Sequence, residues 1–337
     1  MANASGGVPP DIYFAPGYGA AVARVEDSTW VSIVLADGDW QLPLLVRTLP
    51  SGRKDAVSPY GYSGVYRAPG ISELQAAALW ATARAQLLEM DVVSIFVRES
   101  PLVDQATRPP DAVPVVTGHP IFHVPCQGNS ANWDAMQGRA RTSIRKAERL
   151  GTLVEIRRAE RQDLEAGSSF RRLYESTMSK VDAGSYYYFG DDYYNALVDG
   201  LSDDLLICQA LDSAGHELAA SLFLQGPSTL HYHLSGSTLD GSRGGAVSAI
   251  LWAAIQYANK SGLDGVLLGG GVHEGDGLER FKRSFGGNAL MFNAYGLIID
   301  QDAYNAEVAS MGRRLGLAPR ALTAPGFFPA YRRKEAS

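Results

Sequence analysis

Cysteine is almost absent: Cys126 and Cys208 are the two thiols in 337 residues, and no metal-type spacing joins them. So sparse a content excludes a disulfide scaffold and reads as a reducing compartment with free cysteines. Long apolar runs are missing too. No window approaches the roughly 18 consecutive apolar residues of a spanning helix, so no membrane span is expected. Met1 to Pro10 carry neither a basic region nor an apolar run. They do not read as a signal peptide, and the expected location is the cytoplasm. Positive charge is short as well: 30 Lys and Arg stand against 36 Asp and Glu, for a net charge of −6. With a pI near 5.6, the bulk field does not attract polyanions. DNA is not an expected partner, and RNA contact would need a local basic patch. The sequence has no P-loop, no nucleophile elbow and no Ser-His-Asp order, and no metal site is expected.

What is present is an ordinary globular composition, 46% hydrophobic, in a chain long enough for two domains. The first residues, to about Pro10, read as disordered from their Gly, Ser and Pro. Strand patterns at Trp30–Leu35 and Gln41–Arg47 flank Asp37-Gly38-Asp39, a hairpin signal. Ser72 followed by Gln75 is a capping box that opens a helix over 73–90. Strands are expected over 92–98, 119–125, 153–157, 205–210, 218–224, 229–235 and 290–299, with a further buried one starting at Gly265. Helices are expected over 131–150, 162–178, 193–201, 246–260 and 303–315. The economical fold class is α/β with mixed twisted sheets flanked by helices, in two halves joined by the 131–150 helix. The expected domains are 1–145, completed by 318–337, and 150–317.

Several constellations carry chemistry. Gly269-Gly270-Gly271 leaves the strand at Gly265, and an amphipathic helix then sets Lys282 between Phe281 and Phe285. Those rings, at i and i+4, cover one face and place a cation beside a glycine-lined gap, an arrangement suited to an anion or a developing oxyanion. Tyr60-Gly61-Tyr62-Ser63-Gly64 forms an adaptable aromatic loop, or a turn whose tyrosines cap the core. Arg141, Arg145 and Arg149 step along one helical face, either solvated or poised for phosphates. Tyr186 to Phe189 with Tyr193-Tyr194 make a substrate wall or a packed interface. His231 and His233, at period two, share a strand face, and with no third ligand one of the pair lines a substrate cavity rather than the two binding metal. Gly241 to Gly245 opens the helix at Ala246 as an anion-site turn.

Together these pieces resemble the FemAB-like branch of the GNAT acyltransferase superfamily, the group that includes BioF2-like acetyltransferase domains. The residues that carry the resemblance are Ser58 to Gly64, the helix end from Arg141 to Gly151, Tyr232 to Ser237, the helix after Gly245, and Gly277 to Phe285. The resemblance implies tandem GNAT-like domains, a cleft between them, and amide formation by acyl or aminoacyl transfer to an amine. In tRNA-using members a lysine at the position of Lys282 belongs to the acyl-transfer region, so Lys282 is the first catalytic candidate, with His233 and Tyr62 as proton relays. Tyr60, Tyr188, Tyr193, Tyr232, Arg145, Gly269 and Gly270 are the expected substrate contacts. Arg243, Gly244, Gly245 and Arg283 are the expected donor contacts.

The sequence departs from the coenzyme A loop of the wider superfamily, Gln/Arg-x-x-Gly-x-Gly/Ala. Gly244 and Ala246 fit its end, but Gly241 stands where Gln or Arg belongs. The expectation therefore leans to an aminoacyl-tRNA donor over an acyl-CoA, used as a co-substrate with no tightly bound cofactor. An acyl-CoA-dependent N-acetyltransferase and a degenerate ligand-binding protein remain as alternatives.

Overall fold

The computed structural model describes residues 9–102, 108–323 and 327–333. In chain order the strands are β1 Thr29–Leu35, β2 Trp40–Thr48, β3 Lys54–Val57, β4 Tyr66–Arg67, β5 Val92–Arg98, β6 Val113–Pro125, β7 Leu153–Arg158, β8 Leu205–Leu211, β9 Glu217–Gln225, β10 Thr229–Ser237, β11 Gly265–Gly270 and β12 Asn288–Ile298. Two compact units share them. Among the described residues, the first unit takes Val22 to His119 and Met291 onward, and the second takes Pro9–Ala21 and Pro120–Leu290. The fold class expected from the sequence is what the structure shows: mixed α/β, with twisted mixed sheets flanked by helices.

In the first unit, β1, β2 and β3 pair antiparallel in that order, β3 pairs parallel with β5, and β5 pairs antiparallel with β12. The helix Glu73–Glu89 begins where the sequence places it, with both bonds of the Ser72–Gln75 capping box formed. Its buried Ala76, Trp80, Ala83 and Leu87 recur at helical spacing and make one stripe. Trp80, Ala83 and Leu87 of that stripe pack in a core with Trp40, Leu42, Leu44, Ile95 and Val97. A separate core joins Val93 to Tyr304 and Val308 of the helix Gln301–Leu315 and to Tyr331 of the C-terminal segment. The Tyr331 hydroxyl lies 2.7 Å from the Ser94 hydroxyl, and Asp55, fully buried, is gripped by Arg47 and Arg332.

In the second unit the strand order is β6-β11-β10-β9-β8-β7. All neighbours are antiparallel except β10 and β11, which run parallel. The helix Ala246–Lys260 connects that parallel pair and shares a core with Ala140 and Ile144 of the helix Gly138–Arg149 and with Phe223, Leu230, Val266 and Leu268.

Three expectations are corrected. The helix expected over 131–150 is two helices, Asn129–Ala135 and Gly138–Arg149, because Met136 turns extended into the core and the Gln137 amide bonds to the Ser284 carbonyl at 2.9 Å. The helix expected over 162–178 is Arg161–Leu164 and Ser169–Lys180, broken at Gly167, whose φ of +77° is left-handed, with Ser168 capping the restart. Before β1, where no element was expected, the 3-10 turn Ile12–Phe14 and the helix Pro16–Glu26 form, with Ile12, Tyr13, Phe14 and Tyr18 buried. The disorder expected at the N-terminus falls largely on residues 1–8, outside the described residues.

Candidate functional site

Strands β10 and β11 stay in register only from Thr229–Gly265 to His231–Leu267. Beyond that, each is interrupted. A bulge at His233 shifts β10 against β9, and one at Leu268 shifts β11 against β6. The pair therefore parts just where the sequence places Tyr232 and Gly269-Gly270.

Lys282 sits at this parting. The short helix Gly277–Arg283 is started by Asp276, whose carboxylate accepts from the Glu279 amide at 2.6 Å and from the Val272 and His273 amides at 2.7 and 3.0 Å. Those donors hold the Asp276 carboxyl down to about 2. Buried Glu279 accepts from the Gly275 amide and pairs with Arg283. Arg139 donates to the Arg280 carbonyl, which ties the helix to Gly138–Arg149. Phe281 and Phe285 meet edge-on at 5.3 Å. So fixed, Lys282 is only 8% exposed. Its Nζ donates to the Gly270 carbonyl at 2.8 Å on β11 and lies 5.8 Å from the centre of the Tyr232 ring on β10. Burial pulls its pKa down to about 8, against a smaller upward pull from Asp276. A solvated surface lysine has none of these features.

His231 and His233 both meet the N-terminal segment. The His231 Nε2 is 3.0 Å from the buried carboxylate of Asp11, and its ring packs on Tyr13. The His233 Nε2 is 2.6 Å from the Tyr193 hydroxyl, and its ring packs on Tyr18. Burial, then the neighbouring His231, pushes His233 down to about 3, so its ring is neutral at physiological pH. Burial also raises Tyr193 well above the ordinary phenol, so Tyr193 stays protonated. Asp11, Tyr13 and Tyr18 are the partners that sequence reading missed. The run Asp11-Ile12-Tyr13-Phe14, acidic then apolar, was the available signal.

The other candidates separate. Tyr232 packs on Phe223 and, with Lys282, lies in the second unit. Tyr188 is exposed. Arg145 lies over the Trp133 ring at 5.2 Å, and Arg141 donates to the Trp133 and Asp134 carbonyls. Arg141 thus closes a helix end. The Arg283 guanidinium lies over Phe122, and the Arg243 carbonyl accepts from Lys146 at 2.8 Å. A β-carbon on Gly244 would touch Leu150, and one on Gly245, at φ +88°, would strike the Ser143 carbonyl oxygen at 2.3 Å. These glycines are packed against the neighbouring helix. Tyr60 and Tyr62 belong to the first unit, where Tyr62 meets Phe292 edge-on at 5.3 Å. Cys126 and Cys208 are free thiols, and burial raises both, Cys208 to about 12. Among the described residues no cluster could hold a metal ion, and no helix is long and apolar enough to cross a membrane.

Over residues 135–283 the sequence matches the acetyltransferase (GNAT) domain family. That segment of the chain is similar to a GNAT acetyltransferase domain. The matched segment contains the parted strands, the Ala246–Lys260 helix and Lys282. The fold is similar to that of FemX, at 14% identity over 88% of this chain and 96% of that one, with a TM-score of 0.67. It is also similar to L-PGS from Bacillus licheniformis, at 10% identity over 93% of this chain and 99% of that one, with a TM-score of 0.52. At such identities the likeness establishes the fold alone. Among curated proteins the sequence finds no match.

Proposed function

We propose that the protein forms an amide by transferring an aminoacyl group from aminoacyl-tRNA to a small amine. The observation that carries this reading is the buried Lys282 ammonium, bonded to Gly270 where the two parallel strands of the GNAT domain part. The amine nitrogen attacks the ester carbonyl, the C–N bond forms, the C–O bond to the tRNA ribose breaks, and the proton lost by the amine ends on the departing ribose oxygen. Negative charge grows on the carbonyl oxygen, and a cation fixed in a water-poor site stabilises it without reorganising. Tyr232, Gly269 and Gly270 border that point, and Arg283 and Arg243 are the proposed donor contacts.

The preference for tRNA over coenzyme A is supported at Gly241. A β-carbon there would lie 2.1 Å from the Leu218 carbonyl oxygen, so the Gln or Arg of the coenzyme A loop has no room. The direct test is thermal: charged tRNA, or a short aminoacylated acceptor-stem mimic, should raise the melting temperature, and acetyl-CoA should leave it unchanged. Stabilisation by acetyl-CoA, with none from charged tRNA, would overturn the donor assignment.

His233 is the proposed proton relay of the second unit. Neutral at physiological pH and 2.6 Å from the Tyr193 hydroxyl, His233 would pass the proton in concert with that hydroxyl. Tyr193→Phe and His233→Gln should therefore each lower kcat by a similar factor, about 10-fold or more, with little change in KM. Unequal losses, or a change confined to KM, would remove the relay role.

A further inference from the structure

The first unit contains a cavity that the proposed transfer chemistry does not use. It has a volume of about 980 Å³ and is lined by β2, β3 and β5, the helix Gln301–Leu315 and the C-terminal residues from Phe327 to Arg333. Every lining residue belongs to the first unit. We propose that this cavity binds a phosphate ester whose organic part is apolar.

The charge of the wall is one-sided. Arg47, Arg98, Arg314, Arg332 and Arg333 line it, and Glu307 is the single acidic residue among the lining groups. Some of that charge is already answered. Asp55 takes the Nε and one terminal nitrogen of both Arg47 and Arg332 in paired forks, and Glu26 approaches Arg47 at 3.4 Å. The remaining terminal nitrogen of Arg332 stands outside its fork. Arg98 donates to the Ser58 carbonyl at 2.7 Å and lies over the Phe96 ring, and Arg333 lies over Phe327. Arg314 is exposed, and its polar contact is the Met311 sulfur. Two guanidiniums locked by one buried carboxylate are oriented before any ligand arrives, and the others surround them with positive charge in excess of Glu307 and Glu26. Planar N–H forks matched to tetrahedral oxyanions favour phosphate.

The rest of the lining is apolar. Val57, Phe96, Leu315, Met311 and Phe328 line the cavity between the arginines. Phe328 is held by stacking on Tyr304 at 5.8 Å and by the absence of a side chain at Gly296, where a β-carbon would meet its ring at 2.4 Å. An inorganic ion would leave this surface unused, and a neutral apolar molecule would strand the guanidiniums. A phosphate joined to an aryl or alkyl group satisfies both. The volume lies within the range of small-molecule sites.

The test compares 1-naphthyl phosphate, inorganic phosphate and 1-naphthol by calorimetry on the full chain. 1-Naphthyl phosphate should bind saturably and at least about 10-fold more tightly than either part alone, and weaken as salt rises. Arg314→Gln with Arg333→Gln should weaken it by about 10-fold or more while cooperative unfolding is retained, since neither side chain is in the Asp55 pair and the bond lost from Arg333 to the Ala321 carbonyl is exposed. Parity with inorganic phosphate, parity with 1-naphthol, or binding indifferent to the double substitution would overturn the proposal. Sedimentation with phosphatidylglycerol vesicles separates the sources of the ester. Co-sedimentation lost in the double variant supports a lipid headgroup, and none, with 1-naphthyl phosphate binding intact, supports a free ester. The outcome is independent of the transfer reaction, because no residue tested here lies in the second unit.

Discussion

Lys282→Met should cut turnover by about 10²–10³-fold while the protein becomes no less stable. The kinetic loss follows from removing a single fixed charge beside a developing oxyanion. The stability follows from the depressed pKa. Burial holds Lys282 at about 8 against an ordinary 10.5, so the folded chain binds fewer protons than the unfolded chain between those values. Stability from this group therefore rises with pH across that window, and below about 8 the buried charge is a full burden. Methionine matches the length of the side chain and removes the charge, relieving on the order of 1–3 kcal/mol at pH 7, less whatever the lost bond to the Gly270 carbonyl contributed. Activity and melting temperature then move in opposite directions, which a merely structural lysine would not do. The rate of the native protein should also decline as pH rises through about 8, and Lys282→Arg should lose that alkaline decline because its guanidinium stays charged. A methionine variant that turns over at the native rate would sink the assignment.

Gly241→Gln should fail to build a coenzyme A site and should destabilise the protein by at least about 3 kcal/mol. The oxygen that the new β-carbon would strike cannot move aside easily. The Leu218 carbonyl accepts from the Thr238 amide at 2.9 Å and from the Thr238 hydroxyl at 3.2 Å, and that hydroxyl also caps Gly241 at 2.9 Å. Denaturant unfolding measures the loss, and acetyl-CoA titration of the folded fraction measures the binding. A variant as stable as the parent that binds acetyl-CoA would reverse the donor proposal.

Much of this was legible in the sequence, for identifiable reasons. The capping box at Ser72, the strand patterns of β5, β8 and β9, and the helix over 246–260 rest on local signals, and the structure agrees with them closely. The Phe281-Lys282-Phe285 face was readable from spacing alone. What escaped was nonlocal. Nothing in the helical pattern over 131–150 announces that the Ser284 carbonyl will dock at Gln137 and split it. The arginine row has the sequence of a phosphate-binding face, yet Arg141 closes the carbonyl end of a preceding helix that the sequence had merged with its own. Asp11 and Tyr13, which meet His231, and Tyr18, which meets His233, lie over two hundred residues away on a segment without an assigned element. Period-two counting also missed the bulge, because one extra residue leaves no mark on composition.

That bulge has a consequence for how His233 can be removed. On β9, Phe223 and Leu222 are consecutive, and they face Tyr232 and Leu234. The ladder therefore counts one residue fewer than the chain does. Tyr232 and Ser235 keep a common side, with the Ser235 hydroxyl 2.8 Å from that of Ser221. Excising His233 would close the strand into plain alternation without turning over any neighbour. The histidine that meets Tyr193 is thus carried as a supernumerary residue, separable from the sheet that bears it.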